Sequence, residues 1–313
     1  MVNSPLEFGV SLPQFGRFAS PETIVRVARA AEDLGWASVW GADHIVVPHP
    51  YLDRFSETIY EVFTTLTYAA AHTKRVRVGT SVLLLAYRHP VMIAKQVASL
   101  DRFAGGRTII GLAPGWMQEE FEILGLPFED RGPRADEAIR ALKALWGAEN
   151  PSFEGKFYRF SEFAFAPRPV QQPHPPLWIG GNNRRALRRT AAVGDGWHPI
   201  SSMRIGLTLE ELRAALKDLH AMAAAEGRDP AALTVSLRAP LAFQGTPTTH
   251  TGHLTFVGSN DQILERLAAC AAIGVRHVVF DLFYSLADQV ETGSVAEFID
   301  TMERFTREIQ PRL

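Results

Sequence analysis

From residue 8 to residue 309 the sequence alternates short apolar runs with helical patterns, and this rhythm constrains the fold more than any other feature. The apolar runs fall at 8–12, 38–42, 76–85, 108–112, 176–179, 196–199, 233–237 and 275–281. They are continuous rather than alternating, as expected of strands covered on both faces. Between them lie helix signals. Ser20-Pro21 places an N-cap and a first-turn proline ahead of a helix that Gly35 closes. A second helix is predicted over 57–71, and Pro90 begins a third that ends near Phe103. Residues 134–146 and 184–192 carry two more. Thr208 with Glu211 and Ser259 with Gln262 form capping boxes before 209–225 and 263–272, and the last helix is expected over 295–309.

Eight strand-then-helix units predict a parallel sheet wrapped by helices, and the count fits a closed (β/α)8 TIM barrel. A doubly wound sheet is the alternative, because periodicity does not show closure. The sequence has no strand-Gly-x-Gly-x-x-Gly-helix loop to support it. Residues 150–176 break the rhythm. SFEGKFYRF (152–160) reads as a hairpin turning at Glu154-Gly155, and a proline-rich stretch follows. This is read as an insertion after the fourth unit within a single domain spanning 1–313.

Composition excludes several functions. The net charge is −2 and Lys/Arg form no block, so nucleic acid is not expected as a partner. One cysteine, Cys270, permits neither an internal disulfide nor a cysteine-rich metal site. The ten histidines show no helical His-x-x-x-His or Glu-x-x-His pair, so no metal is expected. No apolar run is long enough to span a membrane, and the N-terminus lacks a basic segment leading into an apolar one. A cytoplasmic protein is the expectation.

In a barrel of this kind, ligand groups sit where the strands end. That rule selects Gln14 and Phe15 after the first strand, Asp43-His44 after the second, and Thr80 and Ser81 on the third. It also selects Trp116 after the fourth, Gly180-Gly181-Asn182-Asn183 after the fifth, and Trp197 at the sixth. His44 is the acid/base candidate, with Asp43 as the carboxylate that could set its tautomer. The glycines before the basic helix RRALRR suit an anion such as phosphate, although a tight turn favours the same residues. Phe15, Trp116 and Trp197 suit a flat, apolar ligand.

Four stretches, AEDLGWASVWGADHIVVP, VGTSVLLLAYRHPVMIAKQVASLDRFAGGRTIIGLAPGW, FEILGLPFEDRGPRADEAI and PPLWIGGNNRRALRRTAAVGDGWHP, together resemble the luciferase-like monooxygenase superfamily. Within it they most resemble the branch that uses the deazaflavin coenzyme F420. The resemblance implies a (β/α)8 barrel with the cofactor across its C-terminal mouth and a bulged, cis Ser81-Val82 peptide behind the ring. It implies Asp43-His44 near ring and substrate, and Gly181-Asn182-Asn183 around the phosphate. Asn stands where some deazaflavin relatives have Gly. Trp116 and Leu84 replace an acidic and a hydroxyl residue of a sugar-phosphate dehydrogenase relative, which argues against that substrate. The implied activity is hydride transfer between F420 and a small hydrophobic carbonyl or conjugated compound, in a homodimer. The alternatives are an FMN-dependent monooxygenase using O2 and a flavin-binding barrel without turnover.

Overall fold

The computed structural model describes residues 6–202, 206–243, 252–282 and 294–313. Eight strands form the barrel: β1 (Glu7–Ser11), β2 (Ser38–Gly41), β3 (Arg77–Leu84), β4 (Thr108–Ala113), β5 (Leu177–Gly180), β6 (Gly196–His198), β7 (Thr234–Phe243) and β8 (His277–Asp281). Each pairs in parallel with the next. β8 returns to β1 through Glu7↔His277, Phe8↔Val278, Gly9↔Val279 and Val10↔Phe280, so the sheet closes. The doubly wound alternative is therefore excluded.

Between the strands run α1 (Pro21–Asp33), α2 (Val62–Ala71), α3 (Pro90–Phe103), α4 (Gln118–Ile123), α5 (Arg131–Gly147), α6 (Arg184–Val193), α7 (Leu209–Ala225), α8 (Asn260–Ala272) and α9 (Val295–Glu308). The capping boxes at Thr208 and Ser259 are present, and Ser20 caps α1. α2 begins at Val62, five residues later than its helical pattern suggested, because Glu61 caps it and Ile59 bridges to Phe15. No helix among the described residues is long and apolar enough to cross a membrane.

The strands sort their side chains by parity. On β8, Val278 and Phe280 face the outer core under the helices, while His277, Val279 and Asp281 face the barrel axis. Trp40, Ile109, Trp178 and Val279 form the small inner core. Trp40 stacks on Trp178 and His198 there, with ring centroids 5.4 and 5.1 Å apart.

β3 departs from the parity rule. Its register against β4 shifts between Thr80 and Leu83, and the Ser81-Val82 peptide is cis. A bulge of this kind lets two consecutive residues share one face. Both Ser81 and Val82 accordingly line the cavity at the barrel mouth. Glycines on β4 and β5 make room for it. A Cβ on Gly111 would lie 2.2 Å from Thr80 O, and one on Gly180 would lie 2.8 Å from Val82 Cγ1.

After α5 the chain leaves the barrel for a two-stranded hairpin, Phe153–Glu154 with Arg159–Phe160, and a proline-rich stretch with cis Ala166-Pro167 and Gln172-Pro173. Two buried carboxylates pin this segment. Glu137 on α5 accepts from the N–H groups of Lys156, Phe157 and Tyr158, and Asp101 on α3 accepts from those of Val170 and Gln171.

Candidate active site

The strand ends of the barrel surround a cavity of about 450 Å³. One wall is aromatic. Phe15, Phe55 and Trp116 stand 6.3, 5.5 and 6.0 Å from the imidazole of His44, centroid to centroid. The floor is the β3 bulge, continued by Leu84 and Ala113. At the far end lie Gly180, Gly181, Asn183, Arg185 and Arg189, beside the start of α6. Asn183 caps that helix by accepting from Ala186 N at 3.0 Å, and Gly181 takes a φ of +111° that side chains rarely adopt.

His44 is the acid/base candidate of the sequence, but the carboxylate it meets is not that of its neighbour. Asp43 turns away to Arg88 in a two-point pair, with Nη1 2.7 Å from Oδ2 and Nη2 2.9 Å from Oδ1, and also accepts from Leu84 N. Burial pushes the Asp43 carboxyl up, and the Arg88 guanidinium works against that rise. The expectation that Asp43 orients His44 is thus corrected. A bidentate, buried guanidinium is the stronger partner for that carboxylate.

The carboxylate that does meet His44 belongs to Glu120, on α4. Its Oε2 is 2.6 Å from His44 Nδ1 and 2.7 Å from the Tyr87 hydroxyl, while Oε1 accepts from Ile45 N at 2.6 Å and Val46 N at 3.2 Å. Burial alone would raise this carboxyl. The bond and charge of His44, with those from Ile45 and Tyr87, outweigh burial and hold it below the usual range. Tyr87 stays a phenol, because burial and the adjacent carboxylate both push it up. With Nδ1 bonded to Glu120, Nε2 is the ring nitrogen of His44 left without a partner among the described residues at the cavity.

Four sequence candidates sit away from the cavity wall. Gln14 is buried and binds the backbone of Ala42 and Tyr60, so it fastens two loops. Thr80 faces outward on β3 and donates to Gly111 O at 2.8 Å. Asn182 closes two bonds with the backbone of Ile200. Trp197 has the wrong parity on β6, pointing into the outer core while His198 points inward. Phe15, Asp43, His44, Ser81, Val82, Trp116, Gly180, Gly181 and Asn183 do meet around the cavity.

Sequence reasoning gave no site role to Glu120, Arg88, Arg238 or Asp281. Arg238 on β7 and Asp281 on β8 are both buried at the floor, 2.8 Å apart, and Arg238 also donates to Ser81 O at 2.8 Å. Arg238 was missed because the seventh strand was ended at residue 237, one short of it, whereas Asp281 already closed the predicted eighth strand.

A model of the luciferase-like monooxygenase family matches residues 6–250. An FMNH(2)-dependent dimethylsulfone monooxygenase of Pseudomonas putida is 36% identical over 167 residues, 52% of this chain and 44% of that protein. The chain thus spans less than half the length of that relative. Monooxygenase RslO1 from Streptomyces bottropensis superposes with a TM-score of 0.81 at 21% identity, covering 98% of this chain and 99% of that one. A coenzyme F420 dependent tetrahydromethanopterin reductase from Methanopyrus kandleri superposes with a TM-score of 0.77 at 20% identity, covering 99% of each. At such identities these two structures bear on the fold alone.

Proposed function

The chain belongs to the luciferase-like monooxygenase family, and from that premise we propose that it is an oxidoreductase using the deazaflavin coenzyme F420 on a small apolar carbonyl or conjugated substrate. The observation that carries this reading is His44. Its Nδ1 is clamped by Glu120, and its other nitrogen is left to an aromatic-walled cavity.

The residues present fit such a cofactor. The bulge, given room by Gly111 on β4 and Gly180 on β5, makes a floor for a flat ring. Gly181, Asn183 and the first turn of α6 offer backbone and amide donors to an anionic group. Arg185 and Arg189 stand at the same end of the cavity, and Arg184, Arg185 and Arg188 are exposed on α6. Several cations in one place suit a cofactor whose phosphate continues into a carboxylate-bearing tail.

When bound, a reduced deazaflavin supplies a hydride and reacts poorly with oxygen. The chain's own groups do the rest. His44 Nε2 exchanges a proton with the substrate oxygen as the attached carbon gains or loses hydride. Glu120 holds the ring in place and stabilises the imidazolium. Phe15, Phe55 and Trp116 screen the reacting atoms from water and shape the substrate pocket. A homodimer is part of the same reading.

FMN is the second reading, favoured by the 36% identity to an FMNH(2)-dependent monooxygenase. The two separate by titrating the protein with F420 and with FMN, oxidised and reduced, and following fluorescence or absorbance. Tight F420 binding with weak FMN binding is expected. FMN binding alone would overturn the cofactor assignment. His44→Ala should then keep cofactor affinity and lower turnover by roughly 10²–10⁴-fold. An unchanged rate would remove His44 from the chemistry.

A further inference from the structure

Beneath the cavity, six inward side chains from five strands join in one unbroken file of hydrogen bonds. Trp40 Nε1 is 2.7 Å from Ser38 Oγ, which is 2.8 Å from His277 Nε2. His277 Nδ1 is 3.2 Å from Ser236 Oγ, which is 2.9 Å from His198 Nδ1. His198 Nε2 in turn is 2.9 Å from Ser81 Oγ. All six are buried, and of them only Ser81 and His198 line the cavity.

This file has a direction. An indole N–H donates and never accepts, so Ser38 accepts from Trp40. A hydroxyl carries one proton, and among the described residues Ser38 has only His277 left to receive it. Burial holds His198 down to about 3, with Arg238 beside it adding to the effect, and burial also places His277 well below the usual histidine range. Both rings are therefore neutral near pH 7 and carry one N–H each. With Nε2 accepting, His277 donates from Nδ1 to Ser236. Ser236 then donates to Nδ1 of His198, and His198 donates from Nε2 to Ser81. Arg238 Nη1 approaches the same Ser81 oxygen at 3.3 Å. The Ser81 hydroxyl proton has no protein acceptor among the described residues, and Ser81 sits on the cavity floor.

We propose that this file makes Ser81 an obligate hydrogen-bond donor to the bound ligand, so the floor selects a ring carrying an acceptor nitrogen or carbonyl oxygen. Trp40, Ser38, His277, Ser236 and His198 act as positioning residues, transmitting a polarity set by an indole deep in the barrel. The identity of the ring rests on the function proposed above, whereas the polarity of the file does not.

The direct test is the ¹⁵N spectrum of the two histidines in the ligand-free protein. His198 is expected as the Nε2–H tautomer and His277 as the Nδ1–H tautomer. The same tautomer at both, or a protonated ring near pH 7, would overturn the polarity. Ser236→Ala cuts the file outside the cavity and frees His198 to take the Nδ1–H form, reversing the bond to Ser81. Trp40→Phe removes the initial donor and serves if the first variant folds poorly. Either should mix or invert the tautomer of His198. Either should also weaken the unaltered protein's preferred probe, FMN or F420, by roughly three- to tenfold, as should Ser81→Ala. Expected tautomers with undiminished binding in Ser81→Ala would overturn the donor role. If neither probe binds the unaltered protein, the cofactor reading fails, and the spectrum still decides the polarity.

Discussion

Replacing Glu120 by glutamine tests the site at its least visible member. The carboxylate accepts from four groups, His44 and Tyr87 on one oxygen and the N–H groups of Ile45 and Val46 on the other. Glutamine has the same shape. Its carbonyl can keep the two backbone bonds, which leaves its NH2 facing the His44 and Tyr87 donors. Two donors cannot bond each other, so His44 must move its proton to Nε2 and accept at Nδ1. The cavity then meets an N–H where it had met a lone pair. Losing a hydrogen bond to a charged partner costs about 1.5–3 kcal/mol. If the transition state feels all of it, the rate falls roughly 10- to 100-fold. The assay is turnover with whichever cofactor binds, in Glu120→Gln, His44→Ala and the double variant. Because Glu120 acts through His44, the double variant should be no slower than His44→Ala alone. A Glu120→Gln enzyme at full rate would refute the coupling. So would a double variant slowed by both factors.

Three further outcomes follow from other parts of the fold. Gly111→Ala sets a Cβ 2.2 Å from Thr80 O and 3.2 Å from Val82 Cγ1. It should lower unfolding stability in urea by about 1–3 kcal/mol, and an unchanged midpoint would show that the bulge has room to spare. Glu137→Ala strips three N–H groups of the inserted segment of their acceptor and should cost about 1–3 kcal/mol, with faster proteolysis between 150 and 176. Burial works to raise the Glu137 carboxyl, but its backbone bonds outweigh that and hold it low. A lowered folded pKa stabilises at neutral pH and is lost as pH falls through it, so the gap between wild type and Glu137→Ala should narrow in acid below about pH 4. A gap that widens there would be the wrong sign. Finally, burial raises the Cys270 thiol to about 12. Thiol reagents should label it only as fast as the protein unfolds, and prompt labelling in native buffer would contradict its burial.

The barrel was legible because its signals are local. Continuous apolar runs, the Ser20 cap and the boxes at Thr208 and Ser259 each lie within a few residues of one another. Asp43, His44 and Ser81 were found by the rule that places ligand groups at strand ends, and Val82 through the family resemblance. The partnerships were not legible. Asp43 and His44 are adjacent, yet one pairs with Arg88 and the other with Glu120, and no period in the sequence joins residues 44 and 120. Glu120 reads locally as an ordinary acidic residue in the first turn of a helix, and Arg238 as a surface charge. Trp197 failed for a simpler reason, since a strand shows alternate faces and an aromatic run does not say which face is inward.

Trp116 and Glu120 lie four residues apart on one short stretch after β4. The first is part of the aromatic wall of the cavity, and the second is bonded to His44 Nδ1. Substrate range and acid strength are therefore inherited together. A graft of this loop from a relative, made to change what the cavity accepts, also replaces the carboxylate bonded to His44. Engineering of specificity here must keep a carboxylate at position 120, or supply a new one within reach of His44 Nδ1.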